Sequence, residues 1–158
     1  MSHLVISETE GSFNVYDGTV VTKTEDFADA QVDFSIDATS INTQNADRDK
    51  HLKGADFFDT EKFSKLTFKS TSFKKTSGNE YVLEGNLTIK GITKKVKFNV
   101  TYNGQARSPW GQTAAGFKAT SSINRTEYGL TWNKALEAGG VLVGEKVDIT
   151  LKLELIKQ

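Results

Sequence analysis

The sequence predicts an all-β protein, an antiparallel barrel of about eight strands with one short helix after the third strand. Three observations carry that expectation. Apolar and polar residues alternate with period two over most of the chain, so one side of each strand faces a core and the other faces water. One Pro against 13 Gly in 158 residues leaves long strands with nearly every N–H available to a ladder. Turn residues recur at short intervals between the alternating runs, as in a meander of hairpins.

In chain order, Phe13 and Val15 open a strand that continues past Gly18 to Val21, and Val32, Phe34, Ile36 and Ala38 share one face of the next. The segment from Asn45 to Gly54 breaks the alternation and reads as the short helix. Asn45 caps it, Asp47 and Asp49 lie near its positive end, Lys50 and Lys53 near its negative end, and Gly54 follows the last turn. Leu66, Phe68 and Ser70 then alternate, followed by Tyr81, Leu83, Gly85, Leu87 and Ile89, and by Val96, Phe98, Val100 and Tyr102. The breaks between runs at Ser77-Gly78-Asn79, Lys90-Gly91 and Asn103-Gly104 read as turns. Phe117, Ala119, Ser121 and Ile123 form a further inward face. A second break spans Asn124 to Gly144, with a short helical turn expected near 133–137 and a bent hairpin around Gly139 and Gly140. The last strand puts Val147, Ile149, Leu151, Leu153 and Leu155 on one side. Such a sheet either folds into two packed layers or closes on itself. Closure removes exposed edges, which favours the barrel.

Composition excludes several classes of function. Lys plus Arg and Asp plus Glu are 20 each, so net charge is zero and no basic field exists to hold nucleic acid. Cys is absent, which removes disulfides, thiolate metal sites and a Cys nucleophile. No stretch approaches the roughly 18 apolar residues of a spanning helix. The first residues lack the basic and apolar regions of a secretory signal, so the sequence as it stands reads as cytoplasmic. A periplasmic form would require a signal peptide upstream.

Chemistry-bearing residues are sparse. Asp47 and His51, four apart on the helix, have the spacing of a metal pair, but without Cys or another internal His no metal site is expected. The plainer reading is a solvated helix face, with Asp49 and Lys53 as an ion pair. Carboxylates on that exposed turn have nothing to tune one of them as an acid. Gly139, Gly140 and Gly144 lack the strand–loop–helix setting of a phosphate loop. Lys95 and Lys97 fall on an outer face as a solubilising edge. No catalytic residue and no cofactor are expected. The interior remains, lined by aliphatic and aromatic residues without His, Asp, Glu, Lys or Arg. It is either packed solid or hollow for one slender hydrocarbon. Small inward residues (Ala38, Ser70, Ser72, Gly85, Ala119, Ser121) favour the hollow reading.

The order of motifs resembles the YceI-like, polyisoprenoid-binding family. They run from Asn45-Ala-Asp-Arg-Asp-Lys-His-Leu-Lys53 through Asp56-Phe-Phe-Asp59 and Leu66-Thr-Phe-Lys-Ser-Thr71 to Gly85-Asn-Leu-Thr-Ile-Lys-Gly-Ile-Thr93. Ser108-Pro-Trp-Gly111, Asn124-Arg-Thr-Glu-Tyr-Gly-Leu-Thr-Trp-Asn133 and Gly139-Gly-Val-Leu-Val-Gly144 follow. The resemblance covers the whole chain as one domain, 1–158. It implies a lipocalin-like barrel with an apolar tunnel that binds, sequesters or transports a long-chain isoprenoid or similar amphiphilic lipid.

Alternation then assigns the tunnel wall to Phe34 and Ile36, Phe68, Leu83 and Leu87, Phe98 and Val100, Phe117, and Leu151 and Leu153. The mouth is assigned Phe57, Phe58 and Trp132 as an apolar rim, with Arg48, His51, Asn124 and Arg125 as head-group contacts. The plainer reading of both Arg residues is a structural pairing with neighbours. Family members usually have a further strand ahead of the segment matching Ser2 to Ile6. Its lack here leaves a gap, closed by a second copy in a homodimer or by partial collapse. Two other functions compete: a packed barrel acting through its surface as an interaction or stress-response module, and an enzyme using the Asp47–Asp59 loop on a lipid.

Overall fold

A computed structural model describes residues 1–3, 7–24, 26–137 and 139–158. Leu4, Val5 and Ile6, in the segment that would follow the family's first strand, lie outside the described residues. Among the described residues eleven strands and one α-helix follow in chain order: β1 (Ser2–His3), β2 (Ser7–Glu8), β3 (Ser12–Phe13), β4 (Tyr16–Val21), β5 (Gln31–Asp37), β6 (Ile41–Asn42), α1 (Ala46–Lys53), β7 (Lys65–Ser77), β8 (Glu80–Ile89), β9 (Ile92–Arg107), β10 (Thr113–Asn124) and β11 (Lys146–Ile156). Seven of them form one antiparallel sheet in the order β11-β10-β9-β8-β7-β5-β4, while β1 pairs β2 and β3 pairs β6.

The expected antiparallel, lipocalin-like barrel is present as a curled half-barrel. Its end strands, β4 and β11, do not pair with each other among the described residues. The 16-residue β9 and 13-residue β7 are the long central staves. Buried apolar residues of β7 to β10 gather into one core on the concave side, joined by Leu52 of α1 and by Phe57.

Turn chemistry explains the connections. Lys90 and Gly91 both have positive φ, 52° and 75°, as the tight hairpin between β8 and β9 requires. Gly78 and Asn79 alone join β7 to β8. Asn103-Gly104, expected as a turn, is instead a bulge inside β9. Tyr102 pairs Phe117 and Gly104 pairs Gly116, so Asn103 is skipped, and Gly104 takes the kink at φ 103°. The chain reverses later, at Ser108 to Gly111, where Gly111 N donates to Ser108 O at 3.0 Å.

Three other expectations shift. The first long strand splits: Phe13 belongs to β3 and packs on Phe58, Val15 is exposed, and Tyr16 stacks on Phe34. The expected helical turn near 133–137 is absent. A 3-10 turn occupies Arg125–Tyr128 instead, ended by Gly129 in the left-handed region, while Ala135 bridges Val141 in a bent hairpin. In α1 the Asn45 cap accepts from Arg48 N at 3.0 Å as expected. Gly54 donates to His51 O but keeps φ at −78°, so no left-handed cap forms.

Candidate ligand site

The side chains assigned to a tunnel wall share the concave face. Opposed residues on paired strands point the same way. The rows Phe34–Phe68–Leu87 and Leu83–Phe98 therefore continue into Val100–Ala119–Leu151 and Phe117–Leu153. Ile36 lies opposite Leu66. All ten belong to the core or pack against it. The central six, Phe68, Leu83, Leu87, Phe98, Val100 and Phe117, are buried, whereas Phe34, Ile36, Leu151 and Leu153 near the sheet edges are half-buried.

The small inward residues leave less room than their sizes imply. A Cβ on Gly85 would meet the Phe68 ring at 2.5 Å, so an aromatic fills that gap. Ala38 is fully buried. Ser70 Oγ accepts from Val32 N at 2.8 Å, and Ser121 Oγ donates to Lys97 O at 2.6 Å. Those hydroxyls complete sheet edges where ladder partners are lacking.

At the α1 end, the structure brings His51, Phe57 and Trp132 together. The imidazole meets both rings edge to face, with centroids 5.1 and 4.8 Å away, and its Nε2 lies 3.0 Å from Asp56 Oδ2. The pair sits beside a shallow hollow formed with Asp47, Lys50 and Gly54. Phe58 turns away toward Phe13. Asp49 is engaged by Thr43, whose N and Oγ1 both donate to it. These hydrogen bonds hold its carboxylate below the usual range.

Three polar residues expected at the mouth do structural work instead. Arg48 donates from Nε to Thr43 Oγ1 and from Nη2 to Thr43 O, both at 2.8 Å, and so ties α1 to the link that leads into it from β6. Asn124 caps the 3-10 turn by accepting from Thr126 N and Oγ1. Arg125 is corrected most sharply: it is 2% exposed and donates to the carbonyls of Gly144, Leu130, Trp132 and Val143. Burial pulls its guanidinium below the ordinary value, with Glu145 partly opposing. A guanidinium spent on four backbone carbonyls shapes the 130–144 loop and has little left for a ligand.

Sequence reasoning missed the opposite end. There Phe27 packs on Tyr102 and Phe117, and Tyr81 Oη donates to Asp26 O at 3.0 Å. Asp29 holds that loop by accepting from Thr22 Oγ1 and from the N–H groups of Lys23 and Thr24. The available signal was the Thr-rich run before Asp29, a pattern for side-chain-to-backbone turns.

Residues 1–155 match the family described as the YceI-like domain. Two UPF0312 proteins of Staphylococcus aureus are 41% and 40% identical over 155 residues, covering 98% of this chain and 88% of theirs. A crystal structure of the Campylobacter jejuni YceI protein superposes with a TM-score of 0.85 at 25% identity, covering 100% of this chain and 90% of that one. BcnA of Burkholderia cenocepacia gives 0.80 at 23% identity over 98% and 91%, a likeness of fold.

Proposed function

Because this chain belongs to the YceI-like domain family, we propose that its concave face binds a long-chain isoprenoid or similar amphiphilic lipid, which it sequesters or carries. One observation supports this most directly. Phe34, Ile36, Leu151 and Leu153 continue the apolar rows of the core yet stay half-buried, so apolar wall remains for a hydrocarbon to cover. Each Å² so covered contributes about 25 cal/mol, and an extended chain touching several such residues gains useful affinity without any charged partner. No catalytic role is part of this reading.

A second reading has its own support. Phe68 lying over Gly85 favours a wall packed by its own side chains, acting through its surface as an interaction module. Native mass spectrometry after gentle purification, followed by titration with palmitate, separates the two. An added mass or saturable uptake is expected. Bare protein that takes up no palmitate would leave the surface reading alone.

A further inference from the structure

The sheet has a split in its wall. β9 and β10 pair from Arg107↔Thr113 to Asn99↔Thr120, and there the ladder stops. Below that pair β9 continues along β8 to Ile92 and β10 continues along β11 to Asn124. The two strands run on without pairing to each other, bridged by the Ser121 hydroxyl on Lys97 O. A cleft of about 720 Å³ occupies the parting. Its lining comes from both faces of the sheet: Val96, Ile123 and Ile149 have inner-face parity, while Lys95, Lys97 and Asp148 have outer-face parity. The parting therefore draws its lining from residues of both parities.

Tyr128 also lines this cleft. It is 1% exposed, and its hydroxyl is the buried side-chain polar atom without a hydrogen-bond partner among the described residues. Leaving such a group unpaired is unfavourable, and a bound acceptor would offset that. The charges around it are unevenly committed. Asp148 is held by Ser122 and Lys146 and Lys97 by Glu84, while Lys94 and Lys95 have no ion pair among the described residues, and Glu127 is the acid of the lining without one.

We propose that this parting is a lateral head-group subsite: an amphiphile whose tail lies on the concave face leaves an anionic phosphate head in the cleft, where Tyr128 Oη donates to it and Lys94 and Lys95 neutralise it. The assignment rests on the lipid-binding reading above. It relocates the polar end of the ligand away from Arg48, Asn124 and Arg125, each of which holds backbone or side-chain groups of the fold.

Calorimetric titration with hexadecyl phosphate, hexadecanol and inorganic phosphate tests it, on the unaltered chain, on Tyr128→Phe and on Lys94→Gln/Lys95→Gln. Tyr128→Phe is expected to weaken hexadecyl phosphate about tenfold while leaving the unliganded melting temperature unchanged or higher, since the orphan hydroxyl is gone. That combination is foreign to a merely structural tyrosine. The double Lys variant is expected to weaken hexadecyl phosphate about fivefold and hexadecanol less than about twofold, because an alcohol head gains nothing from the two charges. If both amphiphiles bind and no variant changes either, the subsite is wrong and the concave-face reading stands. Should neither bind, both fall. Inorganic phosphate binding as tightly as hexadecyl phosphate, with the same losses, would make this a site for free phosphate and overturn the amphiphile.

Discussion

The central staves and the rim strands carry the same alternating pattern but end in different circumstances. On the central strands Leu83 lies between Phe73 and Phe98, and Val100 between Tyr81 and Ala119, all of them buried. At the rim, Leu151 and Leu153 of the end strand β11 have a paired strand on one side alone, while Phe34 and Ile36 of β5 lie next to the end strand β4, and all four remain half-buried. Binary patterning thus chooses which way a side chain points; what lies on top of it is decided by sheet closure. In a half-barrel the rim keeps apolar surface that the centre has already used, and the proposed ligand surface is that remainder.

Substitution at the centre should cost most. Val100 is 4% exposed, so Val100→Glu buries an unpaired carboxylate, and we expect a loss of several kcal/mol, seen as the disappearance of a cooperative melt. High pH probes the buried turn after β10 without mutation. Burial first, and Glu127 second, push the Tyr128 hydroxyl up to about 12, against about 10 in an unfolded chain. A raised value in the fold means that stability is intact below pH 10 and is lost as pH rises toward 12. Tyr128→Phe should flatten that limb of the denaturation profile; an unchanged limb would assign it to other groups.

The rim should behave oppositely. Leu151→Glu leaves its carboxylate a route to water, so a cost of about 1 kcal/mol is expected together with at least a tenfold loss of palmitate uptake. Equal damage to folding from Leu151→Glu and Val100→Glu would erase the distinction between the two regions. The smallest effect belongs to the loop at the far end. Hydrogen bonds from Thr22 first, then Lys23 and Thr24, hold the Asp29 carboxylate far below its usual range. A depressed value means its contribution is present above about pH 4 and lost as pH falls. Asp29→Ala should lower the amide protection factors around Phe27 at neutral pH to those the unaltered loop shows in acid, each taken relative to the intrinsic exchange rate at its own pH.

Strands and their inward faces were legible because a half-buried strand writes its geometry as period two. The Asn45 cap was equally plain. Asn103-Gly104 misled because a glycine that accommodates a bulge and one that reverses the chain carry the same local signature; only the partner strand distinguishes them. The mouth residues misled for another reason. Arg125 looks like a ligand contact in sequence, yet the backbone carbonyls it collects come from residues up to 19 positions away. Tyr128 was invisible as a site residue, since an unpaired hydroxyl is a property of surroundings and leaves no trace in composition.

The parted stretch of β9 has one more consequence. Alternate residues between Ile92 and Phe98 turn backbone amides and carbonyls to the side facing away from β8, a template onto which a neighbouring molecule's strand could zip. Lys94, Lys95 and Lys97 fall within that template. Any incoming copy would bring the same three cations against them, so like-charge repulsion guards the open stretch against stacking into fibres while leaving it accessible to small solutes.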